Sequence, residues 1–169
     1  MKIIGRFKVE SGKLHISDPC YEKGDGAVVK VPNGTYVAKI GTNKDGRVSS
    51  LVVTHSTAKP TSPWYPLSDD LGVDSGQMSI FDLKFFKNPT EAKDRPQPKW
   101  MDKKRIKERG EKFYGACCSL TCGDDSVGLG GGVLAHGAVS ESGYGDGSYT
   151  GYQKLDDKGR AVAVKVRFT

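Results

Sequence analysis

Residues 149–168 read YTGYQKLDDKGRAVAVKVRF. In the second half Val162, Val164, Val166 and Phe168 alternate with Ala163, Lys165 and Arg167. Successive side chains of a strand point to opposite faces, so this pattern is an amphipathic strand with one face on a core. Asp156-Asp157-Lys158-Gly159 supplies turn chemistry in front of it, and residues 149–168 are expected to form an antiparallel hairpin. Outward from there the same signals recur. Residues 27–31, 35–40 and 47–55 are rich in β-branched side chains and are separated by Pro32-Asn33-Gly34 and Asn43-Lys44-Asp45-Gly46, which reads as a β-meander. Residues 3–16 read as a first hairpin about Ser11-Gly12, residues 73–82 as a turn feeding a strand, and 113–122 and 133–139 as two more strands. The expected fold class is mainly β, a single-domain antiparallel β-sandwich or partly closed barrel of about eight to ten strands with a short helical or loop insert.

Two stretches break the pattern. Residues 56–72, STAKPTSPWYPLSDDLG, hold three prolines and no periodicity, and are expected to be a long loop pinned by Trp64 and Tyr65. Residues 84–112 carry 11 Lys or Arg against 5 Asp or Glu, which accounts for the whole net charge of +6. Pro89, Pro96 and Pro98 exclude one continuous helix there, leaving a short one over 101–109 with Trp100, Met101 and Ile106 touching the body. This basic insert, at about 84–112, is expected to lie as a lid over the glycine-rich site and to steer anions or an acidic protein. A chain of 169 residues suits one domain spanning 1–169. No apolar run approaches the roughly 18 residues needed to cross a bilayer, and MKIIGRFKVESGK breaks into charge before a signal peptide's apolar region forms, so a cytoplasmic, membrane-free protein is expected.

The chemistry-bearing residues concentrate in residues 113–152, which hold three of the four cysteines and half of the 22 glycines. At their centre stand Ser142, Gly143, Tyr144, Gly145, Asp146, Gly147, Ser148 and Tyr149. Alternating glycines leave backbone N–H groups uncovered and the tyrosines add flat faces and hydroxyls, a combination suited to a polar ligand. The stretch matches neither G-x-x-x-x-G-K-[ST] nor a dinucleotide fingerprint opening a helix. Read as a strand, 113–122 puts Gly115, Cys117 and Ser119 on the floor of a shallow pocket, with Tyr114 on the other face. Asp18, held extended before Pro19, faces a cleft or caps a turn, with Tyr21 beside it. Asp82 shares an apolar strand face with Met78 and Ile80, where a carboxylate must find donors or a cation. His15, His55 and His136 are isolated, and Cys117, Cys118 and Cys122 lack zinc spacing, so neither metal nor cofactor is expected. Two catalytic alternatives remain: a hard-cation hydrolase or transferase on Asp18, Asp82 and Asp146, and a Cys117 nucleophile.

SDPCY, VDSGQMSIFD, FYGACCSLT and SGYGDGSY, in this order between Ser17 and Tyr149, resemble the blocks of a bacterial and phage family of domains of unknown function. The resemblance implies that Asp18, Cys20, Tyr21, Asp74, Gln77, Asp82, Tyr114, Cys117, Ser142, Gly143, Gly145, Asp146, Gly147 and Tyr149 are characteristic residues, and implies no activity. The functional expectation is a non-catalytic binding domain for a small polar, anionic ligand such as a nucleotide-derived signal, seated on Asp18, Tyr21, Asp82, Tyr114, Cys117 and residues 142–149. A protein-partner or structural role, with the basic insert against an acidic protein, is the alternative. Nucleic acid is not an expected partner.

Overall fold

The computed structural model describes residues 1–104, 112–122 and 130–168. The hairpin at the end of the chain forms as its pattern requires. Strands β10 (Gly147–Leu155) and β11 (Ala161–Arg167) pair antiparallel, and the Asp156 carboxylate accepts the backbone N–H groups of Lys158 and Arg160 across the turn. Val164, Val166 and Phe168 enter the core. They stand in a six-stranded antiparallel sheet, ordered β1 (Lys2–Val9), β4 (Gly34–Thr42), β5 (Val48–His55), β11, β10 and β6 (Tyr65–Val73). A second antiparallel sheet is ordered β3 (Ala27–Lys30), β2 (Lys13–Ser17), β7 (Gln77–Asp82), β9 (Gly137–Glu141) and β8 (Gly131–Leu134). The sheets do not close into a barrel, so the architecture is the sandwich.

Several local expectations fail because the chain changes sheets at its turns. β1 pairs with β4 and β2 pairs with β3 and β7, so Ser11-Gly12 is a corner between sheets and not a hairpin turn. The expected meander is likewise split, with β3 in one sheet and β4 and β5 in the other. The proline-bearing segment at 56–72 is a loop only in its first half. β6 is an exposed edge strand paired to β10 alone, the position in which a sheet tolerates Pro66. Residues 133–139 are not one strand, because the chain reverses at Ala135-His136 between β8 and β9.

The largest correction concerns residues 113–122. They form helix α1 (Lys112–Cys122), not a strand. Phe113, Ala116 and Cys117 are buried and Leu120 packs with them, an i, i+3, i+4, i+7 stripe laid on Phe81, Leu134 and Val139 of the second sheet's outer face. β7 is therefore covered on both sides: Met78 and Ile80 meet the inter-sheet core, and Phe81 meets α1. The described part of the insert packs on the same outer layer. Its 3-10 turn (Pro89–Ala92) lies against α1, and the buried Glu91 carboxylate accepts the His136 backbone N–H at 2.7 Å and meets His136 Nδ1 at 2.9 Å. The expected lid is not formed by these residues; most of the expected helix at 101–109, and Ile106 with it, lies outside the described residues.

Candidate functional site

The short turn Asp74-Ser75-Gly76, between β6 and β7, gathers most of the polar residues singled out above. Asp18 directly follows the strand β2 and is fully buried. Its Oδ2 accepts the backbone N–H groups of Asp74 at 2.8 Å and Ser75 at 2.7 Å, while Oδ1 accepts the Cys20 N–H at 2.8 Å and the Ser75 hydroxyl at 2.6 Å. Four donors on one carboxylate satisfy it without a cation. Tyr21 donates its hydroxyl to Asp74 at 2.7 Å, and this bond, with some burial, pushes the phenol above its ordinary range. Burial, then the hydrogen bond to Asp18, pushes the Cys20 thiol up to about 12.

The glycine loop docks on the same turn. Asp146 Oδ1 accepts the Gly76 N–H at 2.9 Å, and Ser142 N donates to the Gly76 carbonyl at 2.8 Å. Inside the loop, the Ser142 and Tyr149 hydroxyls both donate to the Gly145 carbonyl, at 2.6 and 2.8 Å. Arg47 donates to the Gly143 carbonyl at 3.1 Å and its guanidinium lies 5.4 Å from the Tyr144 ring centroid, while Asn43 donates to the Tyr144 hydroxyl. Gly143 has φ +71°, and a Cβ there would collide with the Val48 carbonyl. Gly145, at φ +86°, would point a Cβ into open space. One glycine is required by a close approach and the next by backbone conformation alone.

The end of α1 supplies another wall. Thr121 donates to Gln77 Oε1 at 2.9 Å, and Gln77 Nε2 donates to Cys118 Sγ at 3.4 Å, so a buried amide couples β7 to the helix. Tyr114, half buried, is pushed above its ordinary range by burial and by contact with Cys118. Cys118 and Cys122 stand one helical turn apart and share a hydrogen bond, which holds the exposed Cys122 thiol below its ordinary value and pushes Cys118 up. Between these walls lies an open groove of about 240 Å³. Ser75, Gly76 and Gln77 form one side, Thr121 and Cys122 the second, and Glu141, Gly143 and Gly145 the third.

Asp18, Tyr21, Tyr114, Ser142, Tyr144, Asp146 and Tyr149 thus belong to one network, together with Gly143 and Gly145, while Gly147 opens β10 opposite Val73. Asp82 and Cys117 do not. Asp82 lies at the far end of β7, about 16 Å along the strand from Gln77, where its carboxylate accepts the N–H groups of Glu10 and Ser11 and of Lys84, fixing the inter-sheet corner. The three aspartates therefore do not converge. Cys117 is fully buried between α1 and the second sheet, and burial pushes its thiol up. Ser75, Thr121, Cys122 and Glu141 are wall residues that the sequence reading missed, and Cys118 is a buried residue behind them. The i, i+4 spacing of Cys118 and Cys122 is the signal that a helical reading of α1 would have used.

A second, larger cavity of about 490 Å³ opens at the other end of α1, lined by Pro89, Thr90 and Ala92, by Lys93, Asp94 and Arg95, and by Gln97 and Lys112. It carries three of the insert's cations, Lys93, Arg95 and Lys112, against Asp94, and shares no lining residue with the groove of the glycine loop. Among the described residues no group of three or more His, Cys, Asp or Glu is placed to hold a metal, and no helix is long and apolar enough to cross a membrane.

A family described as proteins of unknown function, DUF4241, matches residues 70–166, which contain three of the four sequence blocks and leave SDPCY outside. No curated protein and no solved structure matches the chain. Since the match spans more than half of the sequence, the chain belongs to that family.

Proposed function

We propose that this member of the DUF4241 family is a non-catalytic binding domain whose small polar ligand lies in the groove between the glycine loop, the turn at 74–76 and the end of α1. The observation that carries this reading is the Asp146 to Gly76 bond, which joins two glycine turns 70 residues apart beside an open groove. Such tying fixes backbone groups in advance of a ligand, so little ordering cost remains on binding. Among the described residues the groove wall offers the Glu141 carboxylate, hydroxyl and amide groups and the Cys122 thiol, whose lowered pKa adds a second anionic group, and no Lys or Arg. It fits a neutral ligand rich in hydrogen-bond donors, such as a nucleoside or sugar. The anionic, nucleotide-like ligand is favoured instead at the second cavity, where Lys93, Arg95 and Lys112 stand against Asp94.

Thermal-shift screening of nucleosides, sugars and their phosphates tests both sites, because a ligand that binds only the folded form raises Tm. A nucleoside or sugar is expected to raise it in the native protein and in Lys93→Ala, and to fail in Glu141→Gln. A phosphate that works only when Lys93 and Arg95 are intact assigns binding to the second cavity. No shift with any ligand of the panel removes the binding proposal.

A further inference from the structure

The outer face of the first sheet carries a charge pattern invisible in the sequence. Ladder registers place Lys39, Val52, Lys165 and Tyr152 in one cross-strand row over β4, β5, β11 and β10. The next row runs Arg6, Val37, Thr54, Ala163 and Lys154, and a third runs Gly41, Ser50, Arg167, Thr150 and Asp70. Lys8 lies two residues beyond Arg6 on the same face of β1. Six cations thus share a surface whose rows contain one acid, Asp70 at the far edge. Neighbouring strands lie about 4.8 Å apart, so Arg6 and Lys154 are roughly 19 Å apart across four strand intervals.

None of the six forms an ion pair with a described residue. Cross-strand partners of a solvated sheet are ordinarily of opposite charge when charged, whereas here the intervening residues are valine, alanine, serine and threonine. Lys165 shows the resulting crowding: burial, then the neighbouring charges of Arg167 and Lys154, hold its ammonium below the usual range. Aromatic rings are set among the cations. The Lys165 ammonium lies 4.3 Å from the Trp64 ring centroid and 5.1 Å from that of Tyr152, and Lys154 lies 5.2 Å from Trp64. α1 and the described insert cover the second sheet. On the first sheet, the loop before β6 brings Trp64 over the face, and among the described residues no helix packs on it.

We infer that this face binds single-stranded nucleic acid, with phosphates on Arg6, Lys8, Lys39, Lys154, Lys165 and Arg167 and bases against Trp64 and Tyr152. An acidic protein would use the cations and leave the rings idle. Alternating charge and flat rings on an open surface match the backbone and bases of an extended strand. This surface is distinct from the groove of the glycine loop.

Fluorescence anisotropy with a labelled oligothymidylate of about 12 nucleotides tests the inference. Binding is expected at about 50 mM salt, with log K falling against log salt at about −0.7 per phosphate contacted, or roughly −4 if six cations each hold one. Lys154→Ala/Lys165→Ala is expected to reduce that slope by about 1.4. Trp64→Ala is expected to weaken binding at every salt concentration without changing the slope, with Trp64→Phe restoring most of it. Lys93→Ala/Lys99→Ala in the insert should leave both unchanged. Absence of binding at low salt overturns the inference. Polyglutamate binding of equal strength assigns the face to an acidic protein instead, and binding insensitive to Trp64→Ala reduces it to non-specific polyanion attraction.

Discussion

Replacing Asp18 by Asn tests the network that shapes the groove. The native carboxylate takes four hydrogen bonds, two on each oxygen. An amide keeps one oxygen, enough for the Cys20 N–H and the Ser75 hydroxyl, and turns its NH2 toward the backbone N–H groups of Asp74 and Ser75, so donor faces donor. Two bonds to a charged acceptor are lost, each worth about 1.5 to 3 kcal/mol, and the variant should be destabilised by about 3 to 6 kcal/mol. For a chain of this size each kcal/mol moves Tm by about 2 to 4 °C, so the expected fall is about 6 to 24 °C. Urea unfolding at pH 7 gives the free energy directly, and hydrogen exchange should show the Asp74 and Ser75 amides losing protection ahead of the sheet. Asp146→Asn is the control: that carboxylate is exposed and accepts one hydrogen bond, from the Gly76 N–H, so it should cost about 1 kcal/mol. A loss below about 1 kcal/mol for Asp18→Asn, or equal losses for both, would refute the reasoning.

Three other outcomes follow from particular side chains. His15 is fully buried against Phe86, its Nε2 accepts the Gly24 N–H, and burial lowers its pKa to about 4 from an ordinary 6.5. The unfolded chain therefore protonates first, so this stability is complete above about pH 6.5 and falls toward pH 4, by about 2 kcal/mol at pH 5; acid titration of His15→Phe should lack that component. Gly145→Ala should cost about 1 to 2 kcal/mol from its left-handed backbone, while Gly143→Ala, whose Cβ meets the Val48 carbonyl, should cost clearly more in the same denaturation assay. Alkylation with iodoacetamide followed by peptide mapping should modify exposed Cys122 first, at a pH where ordinary thiols are slow, and leave buried Cys117 unmodified until unfolding.

The sequence alone determined the mainly β class and left open whether the sheets stay apart as a sandwich or curl into a partly closed barrel, because closure depends on which edge strands meet. Period-two alternation in β11, β-branched runs in β4 and β5, and glycine turns between them are local properties, and they hold wherever the strands pair. It also singled out the glycine loop and Asp18, the latter only as a carboxylate held extended before Pro19; that Asp18 is buried and takes four donors was decided by the fold. What pairs with what was not local. Whether Ser11-Gly12 closes a hairpin or turns a corner depends on the opposing sheet, and Pro66 is acceptable in β6 only because no strand lies beyond it. Residues 113–122 were ambiguous for a physical reason: small side chains such as Gly115, Ala116, Cys117 and Ser119 satisfy period two and period 3.6 alike. The apolar outer face of Phe81, Leu134 and Val139 required cover, and a helix supplies it with Phe113, Ala116, Cys117 and Leu120. The same step separated Asp82 and Cys117 from the candidate groove and brought Gln77, Thr121 and Cys122 into it. Likewise the balanced charge outside the insert became a cationic face only when strands distant in sequence were laid side by side.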